Sequence, residues 1–310
     1  LDEQRLLHLD DKVCDYIPEF GTHGKEWITI RHVLTHRAGI PSIPPEHARP
    51  ELLGKPETVL ELLYDSEPVW RPGRRFGYHA LTGGFILAEV LHRITGRSIQ
   101  EFLVEDFSKP LGLEHFRYGV EPEDLGEVAL NSFTGLPLFP PASTIFKKAI
   151  GVGVREGVRA SNSPEFLTGL VPAGNIITTA EQASRFMEVL LQGGDYGGRE
   201  YFDSKTIARA VTEQVFFELD ATIGVPVRYS LGFMLGSKHL SVYGRHTNRA
   251  FGHLGFTNVL LWADPERDIT ASLMTNGKPF VSPGSLRWLG VMNTIAALCP
   301  RDWGRGLTSE

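Results

Sequence analysis

The periodicity of this chain changes once, at about residue 226, and that change narrows what it can fold into. After it come short runs, RYSLGFMLG, AFGHLG, NVLLWA and ITASLMT, rich in apolar and β-branched residues and separated by polar turns. Runs of that length read as strands, and Asp264-Pro265-Glu266-Arg267 between two of them reads as a hairpin turn. A last segment, SLRWLGVMNTIAALC, is long enough for a helix that covers one face of the resulting sheet. Before the change the pattern is helical. A helix-rich front, an antiparallel sheet and a closing helix predict an α/β (α+β) architecture, with a mostly helical domain at 1–215 and a sheet-bearing domain at 216–310.

The helical front is clearest at Trp70–Gly96, WRPGRRFGYHALTGGFILAEVLHRITG. Arg71-Pro72-Gly73 opens it as a loop, and Tyr78 stands just before the helix. From Leu81 onward Leu81, Phe85, Val90, Leu91 and Ile94 recur at helical spacing, and Gly96 follows where a left-handed stop favours glycine. Tyr78 is thereby held at the lip of a rigid element with its phenol placed to face a cleft. ITIRHVLTH, closed by Ala38-Gly39, and the segment at about Glu57–Tyr64 also read as helices. Ser98 with Glu101 forms a capping box before IQEFLVEDF, which ends at Pro110 and Gly112. In VPAGNIITTAEQASRFMEVLLQGG, Thr178 and Thr179 offer caps for a helix whose buried face is Ala183, Phe186, Met187, Leu190 and Leu191. Residues 40–56 are proline-rich loop, and 119–170 show no sustained periodicity.

With 42% hydrophobic and 22% charged residues, the chain has the profile of a globular protein. A net charge of -6 argues against a nucleic-acid partner, which calls for a basic excess. No apolar run reaches the roughly 18 residues of a membrane span. Cys14 and Cys299 form neither a disulfide framework nor a C-x-x-C metal pattern. The chain opens LDEQRLLHLDDKV, without an initiator Met or signal peptide, and Leu6, Leu7 and Leu9 read as the tail of a helix. The expectation is a fragment, or a mature chain missing its front.

Several chemistries lack their marks. There is no G-x-S-x-G elbow, no G-x-G-x-x-G and no G-x-x-x-x-G-K-[ST], so neither an α/β-hydrolase nor a nucleotide cradle is indicated, and no cofactor is expected. His32 and His36 lie four apart on a helix without H-E-x-x-H or a third ligand, so capping or packing is the expected role and no metal is assigned. Two places remain. One is Tyr78. The other is Phe251-Gly252-His253-Leu254-Gly255, where glycines flank a polar strand residue, as where a ligand or another backbone approaches closely.

In combination these segments resemble the serine β-lactamase and penicillin-binding-protein superfamily, and within it the class C-like group that includes the family VIII carboxylesterases. Four segments carry the likeness in order: LDDKVCDYIPEF through ITIRHVLTHRAGIPS, WRPGRRFGYHALTGGFILAEVLHRITGRS, VPAGNIITTAEQASRFMEVLLQGG and FGHLGFTNVLLWADPERDITASLMTNGKP. The resemblance implies the serine β-lactamase/DD-peptidase fold. It also implies a nucleophilic serine and a lysine in an S-x-x-K motif, a Y-x-N tyrosine and a K-T-G or H-x-G strand. Tyr78 falls on the tyrosine and His253-Leu254-Gly255 on the strand motif. No serine here has a lysine three residues on; Thr144 with Lys147 and Thr275 with Lys278 are look-alikes in the wrong segments. The expectation is that S-x-x-K and the family's N-terminal strands precede Leu1, that one sheet edge is left open, and that the chain alone is inactive.

In the resembling enzymes the serine must lose its proton as it attacks an acyl carbon, and a phenol with a reference pKa of about 10 serves as base only beside a cation. Tyr78 is thus expected to take the serine proton and return it to the leaving alcohol. The backbone N–H of Phe256 is the expected oxyanion donor, worth about 3 kcal/mol. Two departures bear on substrate. The Y-x-N position reads Tyr78-His79-Ala80, without the amide, and His253 stands for Lys, with a reference pKa near about 6.5. Both disfavour a β-lactam and suit a small-molecule carboxylic ester, with His79, Leu254, Gly255 and Thr257 lining the substrate. The alternatives are a non-catalytic binding protein of the same fold, or a β-lactamase or acyltransferase using the same residues.

Overall fold

A computed structural model describes residues 1–43, 52–140, 143–144, 147, 152–256, 258–279 and 283–301. Contacts divide it into two units: 1–131, 138–178 and 217–226 in the first, and 132–137, 179–216 and 227–310 in the second. The helix at 180–191 therefore joins the sheet-bearing unit, whereas the sequence boundary at 215/216 leaves it with the front. Its apolar face explains this, as described below.

The first unit is helical. Its main helices are α1 (Val13–Tyr16), α2 (Ile30–Leu34), α3 (Pro56–Asp65), α4 (Ala80–Thr95), α5 (Ile99–Leu103), α6 (Val154–Ala160) and α7 (Pro164–Thr168), beside a two-stranded antiparallel pair of Arg117–Tyr118 with Ile176–Ile177. α4 is the longest, and Gly96 closes it at φ 70°. Its buried residues Phe85, Ile86 and Val90 belong to a core with Val13, Phe20, Ile30, Val33, Val59 and Leu63 from α1 to α3 and their connections. The Ser98–Glu101 box forms in both directions. Two expectations are corrected here. Leu6, Leu7 and Leu9 are not a helix tail: residues 2–5 form a turn closed by Arg5 N–H to Asp2 O, with Arg5 at φ 59°. IQEFLVEDF is α-helical only to Leu103, and Val104–Ser108 continue as a wider π-turn. α6 and α7 are too short to leave a periodic trace.

The second unit holds α8 (Ala180–Leu191), α9 (Ser204–Ala210), α10 (Pro283–Leu298) and most of a six-stranded sheet. The strands, adjacent in chain order, are β1 (Val215–Leu219), β2 (Pro226–Tyr229), β3 (Met234–Leu235), β4 (Phe251–Gly255), β5 (Val259–Asp264) and β6 (Ile269–Met274). β1 begins before the 226 change in period because Phe216 and Phe217 are both exposed, and Phe217 at φ 43° interrupts the alternation. The pairs from β2 to β6 are antiparallel. Alternation along β5 sorts its side chains between two cores. Leu260 and Trp262 pack with Tyr243, Ala250 and Met292 of α10, whereas Ala263 packs with Met187 and Leu190 of α8 and with Ile207 and Phe251. The 216–310 sheet is thus covered on both faces. No helix among the described residues is long and apolar enough to cross a membrane.

The hairpin turn after β5 is tied down by a buried ion pair. Arg267 donates to Asp264 Oδ2 at 2.6 Å, to His246 O at 2.9 Å and to Ala296 O at 3.2 Å, with both charged side chains within 4% of full burial. Removing one partner strands the other charge in the interior. Asp264→Ala is expected to lower the unfolding free energy by about 3–5 kcal/mol, read from the urea midpoint. An unchanged midpoint would show the pair to be dispensable.

Candidate active site

Tyr78 sits at the end of an extended segment, 75–79, that belongs to no sheet. Its backbone groups therefore need partners from elsewhere. Residues 36 and 37 supply one side: Gly77 N–H donates to His36 O at 2.9 Å, His79 N–H to His36 Nδ1 at 3.4 Å, and Gly73 N–H to Arg37 O at 2.9 Å. The arm at 217–226 supplies the other. Phe76 N–H donates to Glu218 Oε1 at 3.2 Å, Ala221 N–H donates to Phe76 O at 2.9 Å, and Tyr78 N–H donates to Asp220 Oδ1 at 3.2 Å. Gly77 must be glycine, since a Cβ there would lie 2.5 Å from the Trp70 ring.

The Tyr78 ring, half-buried, meets His36 at 4.9 Å between centroids. Burial pushes the phenol's pKa well up, and the Asp220 carboxylate pushes it in the same direction. His79, expected to line the substrate, is buried to 2% exposure, edge-on to His36 at 4.9 Å. Neither of its ring nitrogens has a hydrogen-bond partner among the described residues, and burial lowers its pKa to about 4. His32 accepts from Thr29 N–H at the start of α2, and burial lowers its pKa too. No group of three His, Cys, Asp or Glu among the described residues could hold a metal ion.

The second group of residues lies in the other unit, on β4 and the turn after it. His253 Nδ1 lies 2.9 Å from Leu254 O, and since a carbonyl only accepts, Nδ1 carries hydrogen. Nε2 lies 3.0 Å from the Tyr229 hydroxyl and accepts from it while the ring is neutral. Burial lowers the His253 pKa, against the Leu254 bond that raises it. Gly252 has the close approach that glycine spacing suggested, and the neighbour is backbone: a Cβ would lie 2.0 Å from Leu261 O on β5. Leu254 pairs with Leu260 and Gly255 with Val259. Phe256 opens the turn, and Thr257 lies outside the described residues.

The look-alike Thr275 with Lys278 also finds a place beside that turn. Lys278 Nζ donates to Thr275 O at 2.8 Å and stands 5.8 Å from the Phe256 ring centre, and burial lowers its pKa to about 8. Thr275 N–H in turn donates to Asn258 O at 3.2 Å. Three polar residues here escaped the sequence reading: Glu218, Asp220 and Tyr229. Two acids spaced i, i+2 in FFELDAT were the available mark, since that spacing puts both on one side of an extended chain.

A family model described as Beta-lactamase matches residues 1–293. The chain is similar to Esterase/beta-lactamase LipL of Mycobacterium tuberculosis (strain ATCC 25618 / H37Rv), with 24% identity over 99% of this chain and 72% of that protein. Among solved structures it is similar to a penicillin-binding protein homolog from Caulobacter crescentus, at a TM-score of 0.81 and 26% identity, over 95% of this chain and 78% of that one. It is also similar to a family VIII carboxylesterase, at 0.80 and 26%, over 97% and 79%.

The buried His79 has a consequence for stability. An unfolded imidazole takes up its proton at 6.5, whereas the folded ring resists until about 4. The lowered value means that stability is intact above pH 6.5 and is lost as pH falls from there through about 4, by about 3 kcal/mol in all. Urea unfolding of the parent and His79→Asn at pH 7 and pH 5 checks this: the parent is expected to lose more stability than the variant. An equal loss in both would assign the acid sensitivity elsewhere.

Proposed function

The chain belongs to the Beta-lactamase family, and from that premise we propose that it carries the tyrosine and the oxyanion strand of a serine hydrolase acting on carboxylic esters through an acyl-enzyme. The observation that carries this reading is Tyr78: its backbone is held on both sides at the start of α4, with the ring left at the edge of the first unit's interior. The ester preference rests on Ala80 and His253, which stand where the resembling enzymes carry an amide and a permanent cation. Likeness to a family VIII carboxylesterase and to an esterase/beta-lactamase supports the same preference.

In this reading a serine and a lysine come from an S-x-x-K segment outside these 310 residues, since no serine in them has a lysine three positions on. The ammonium offsets burial and Asp220 and lets Tyr78 deprotonate. The phenolate takes the serine proton as the serine oxygen bonds to the acyl carbon. The phenol then returns that proton to the alcohol oxygen as the ester C–O bond breaks. Water then gives a proton to the same phenolate as its oxygen bonds to the acyl carbon, and the phenol returns that proton to the serine oxygen as the serine–acyl C–O bond breaks and the acid leaves. The resemblance implies that Phe256 N–H, at the end of the second unit's strand, is an oxyanion donor, with the serine's own N–H as the other. His253, neutral and engaged at both nitrogens, shapes the strand instead of moving protons. A non-catalytic binding protein is the second reading, favoured by the missing S-x-x-K, and the upstream coding sequence separates the two.

The test is turnover of p-nitrophenyl acetate and butyrate by the full-length protein. Tyr78→Phe is expected to lower kcat by about 10²–10⁴-fold, and the 310-residue chain alone to give no serine-dependent turnover. Retained turnover in the Phe variant would reject tyrosine as the base.

A further inference from the structure

The arm at 217–226 presents its two acids to the tyrosine segment in register. Glu218 meets Phe76 N–H and Asp220 meets Tyr78 N–H, two residues on in each chain, with Ala221 N–H returning to Phe76 O. The arrangement resembles a β-ladder in which carboxylates replace two of the carbonyls. The two acids differ in setting. Glu218 is half-exposed and paired with Arg37. Asp220 is 1% exposed, and the hydrogen bonds to its carboxylate come from backbone N–H groups: Thr222 at 2.7 Å, Ile223 at 3.1 Å and Tyr78. Thr222 and Ile223 close a turn within the arm. Tyr78 is the donor that comes from far along the chain.

We infer that Asp220 is the positioning residue of Tyr78, fixing the tyrosine's backbone through a buried carboxylate. The inference rests on the ester-hydrolase reading for its consequence in catalysis, and on the hydrogen bonds alone for the positioning. A purely local turn would need neither the third donor nor burial of the charge. All three donors make bonds to Oδ1, at 2.7, 3.1 and 3.2 Å, while Oδ2 meets only Tyr78 N, at 3.3 Å. An asparagine can therefore keep the three bonds to Oδ1 through its one oxygen, losing the charge and the longer 3.3 Å bond from Tyr78 N–H.

That charge works against the phenolate. Other titratable or charged groups around Tyr78, among the described residues, include the His36 ring, the buried His79 and, through Phe76, the Glu218–Arg37 pair. Asp220 is the one among them that raises the phenol's pKa by its charge. The arm thus holds the tyrosine in place, and its carboxylate adds to burial in raising the phenol's proton affinity.

The experiment uses two variants. In the full-length enzyme, Asp220→Asn is expected to leave KM unchanged and to move the acid limb of the kcat/KM profile to lower pH by about one unit. A structural role alone moves no limb, so a profile that superimposes on the parent's, or shifts upward, overturns the charge effect. In the 310-residue chain, hydrogen exchange of the Tyr78 amide is expected to be slow in the parent and in Asp220→Asn, and at least about tenfold faster in Asp220→Ala. Equal protection in Asp220→Ala overturns the positioning role. An enzyme without esterase activity but with this exchange pattern would reject the ester reading and keep the clamp.

Discussion

An extended segment outside any sheet must find partners for its backbone, and in this protein the search ends at two unrelated stretches of chain. From Phe76 to His79 every N–H is met, alternately by Glu218 and Asp220 on one side and by His36 on the other. Unmet N–H groups in a buried strand-like segment cost free energy comparable to a lost hydrogen bond each. The tyrosine's place in the first unit follows from that constraint more than from α4, which only begins after it. Burial of His79 and the close packing of Gly77 against Trp70 follow in turn, because a segment gripped on both sides leaves its intervening residues no room.

The second unit solves the same problem by regular pairing. β4 has β3 on one side and β5 on the other, so its polar residue could not use backbone for hydrogen bonding beyond its own strand. His253 turns one nitrogen to Leu254 O and the other to Tyr229 on β2. Both nitrogens are thereby engaged, and burial favours the neutral ring. Lysine at this position would bring a permanent charge into the same space. Histidine brings a polar side chain that the sheet can satisfy without one.

Much of the fold was legible because its signals are local. Gly96 after Ile94, the Ser98–Glu101 box and the Asp264–Arg267 turn each depend on a few neighbouring residues, and each formed where its residues stand. The boundary near 215 was less legible. α8 reads as one more helix of the front, and only Met187 and Leu190 packing on Phe251 and Ala263 assign it to the sheet. Of the candidate site, the tyrosine and the H-L-G strand are what a motif can propose. Glu218 and Asp220 could not be found that way, because their partners lie more than 140 residues away and their own strand looks like an apolar hairpin interrupted by acids.

The sequence by itself determined the helix-then-sheet order, the long helix behind Tyr78 and the strand that carries His253, since apolar period, caps and turn residues act within a few positions. Only the tertiary structure decided the state of the groups those elements carry. It buried His79, matched His253 to Tyr229 and set the Asp220 carboxylate at Tyr78, raising the proton affinity of the phenol. Proton affinity depends on burial and on charges brought near through space, and neither is written in the order of residues along the chain.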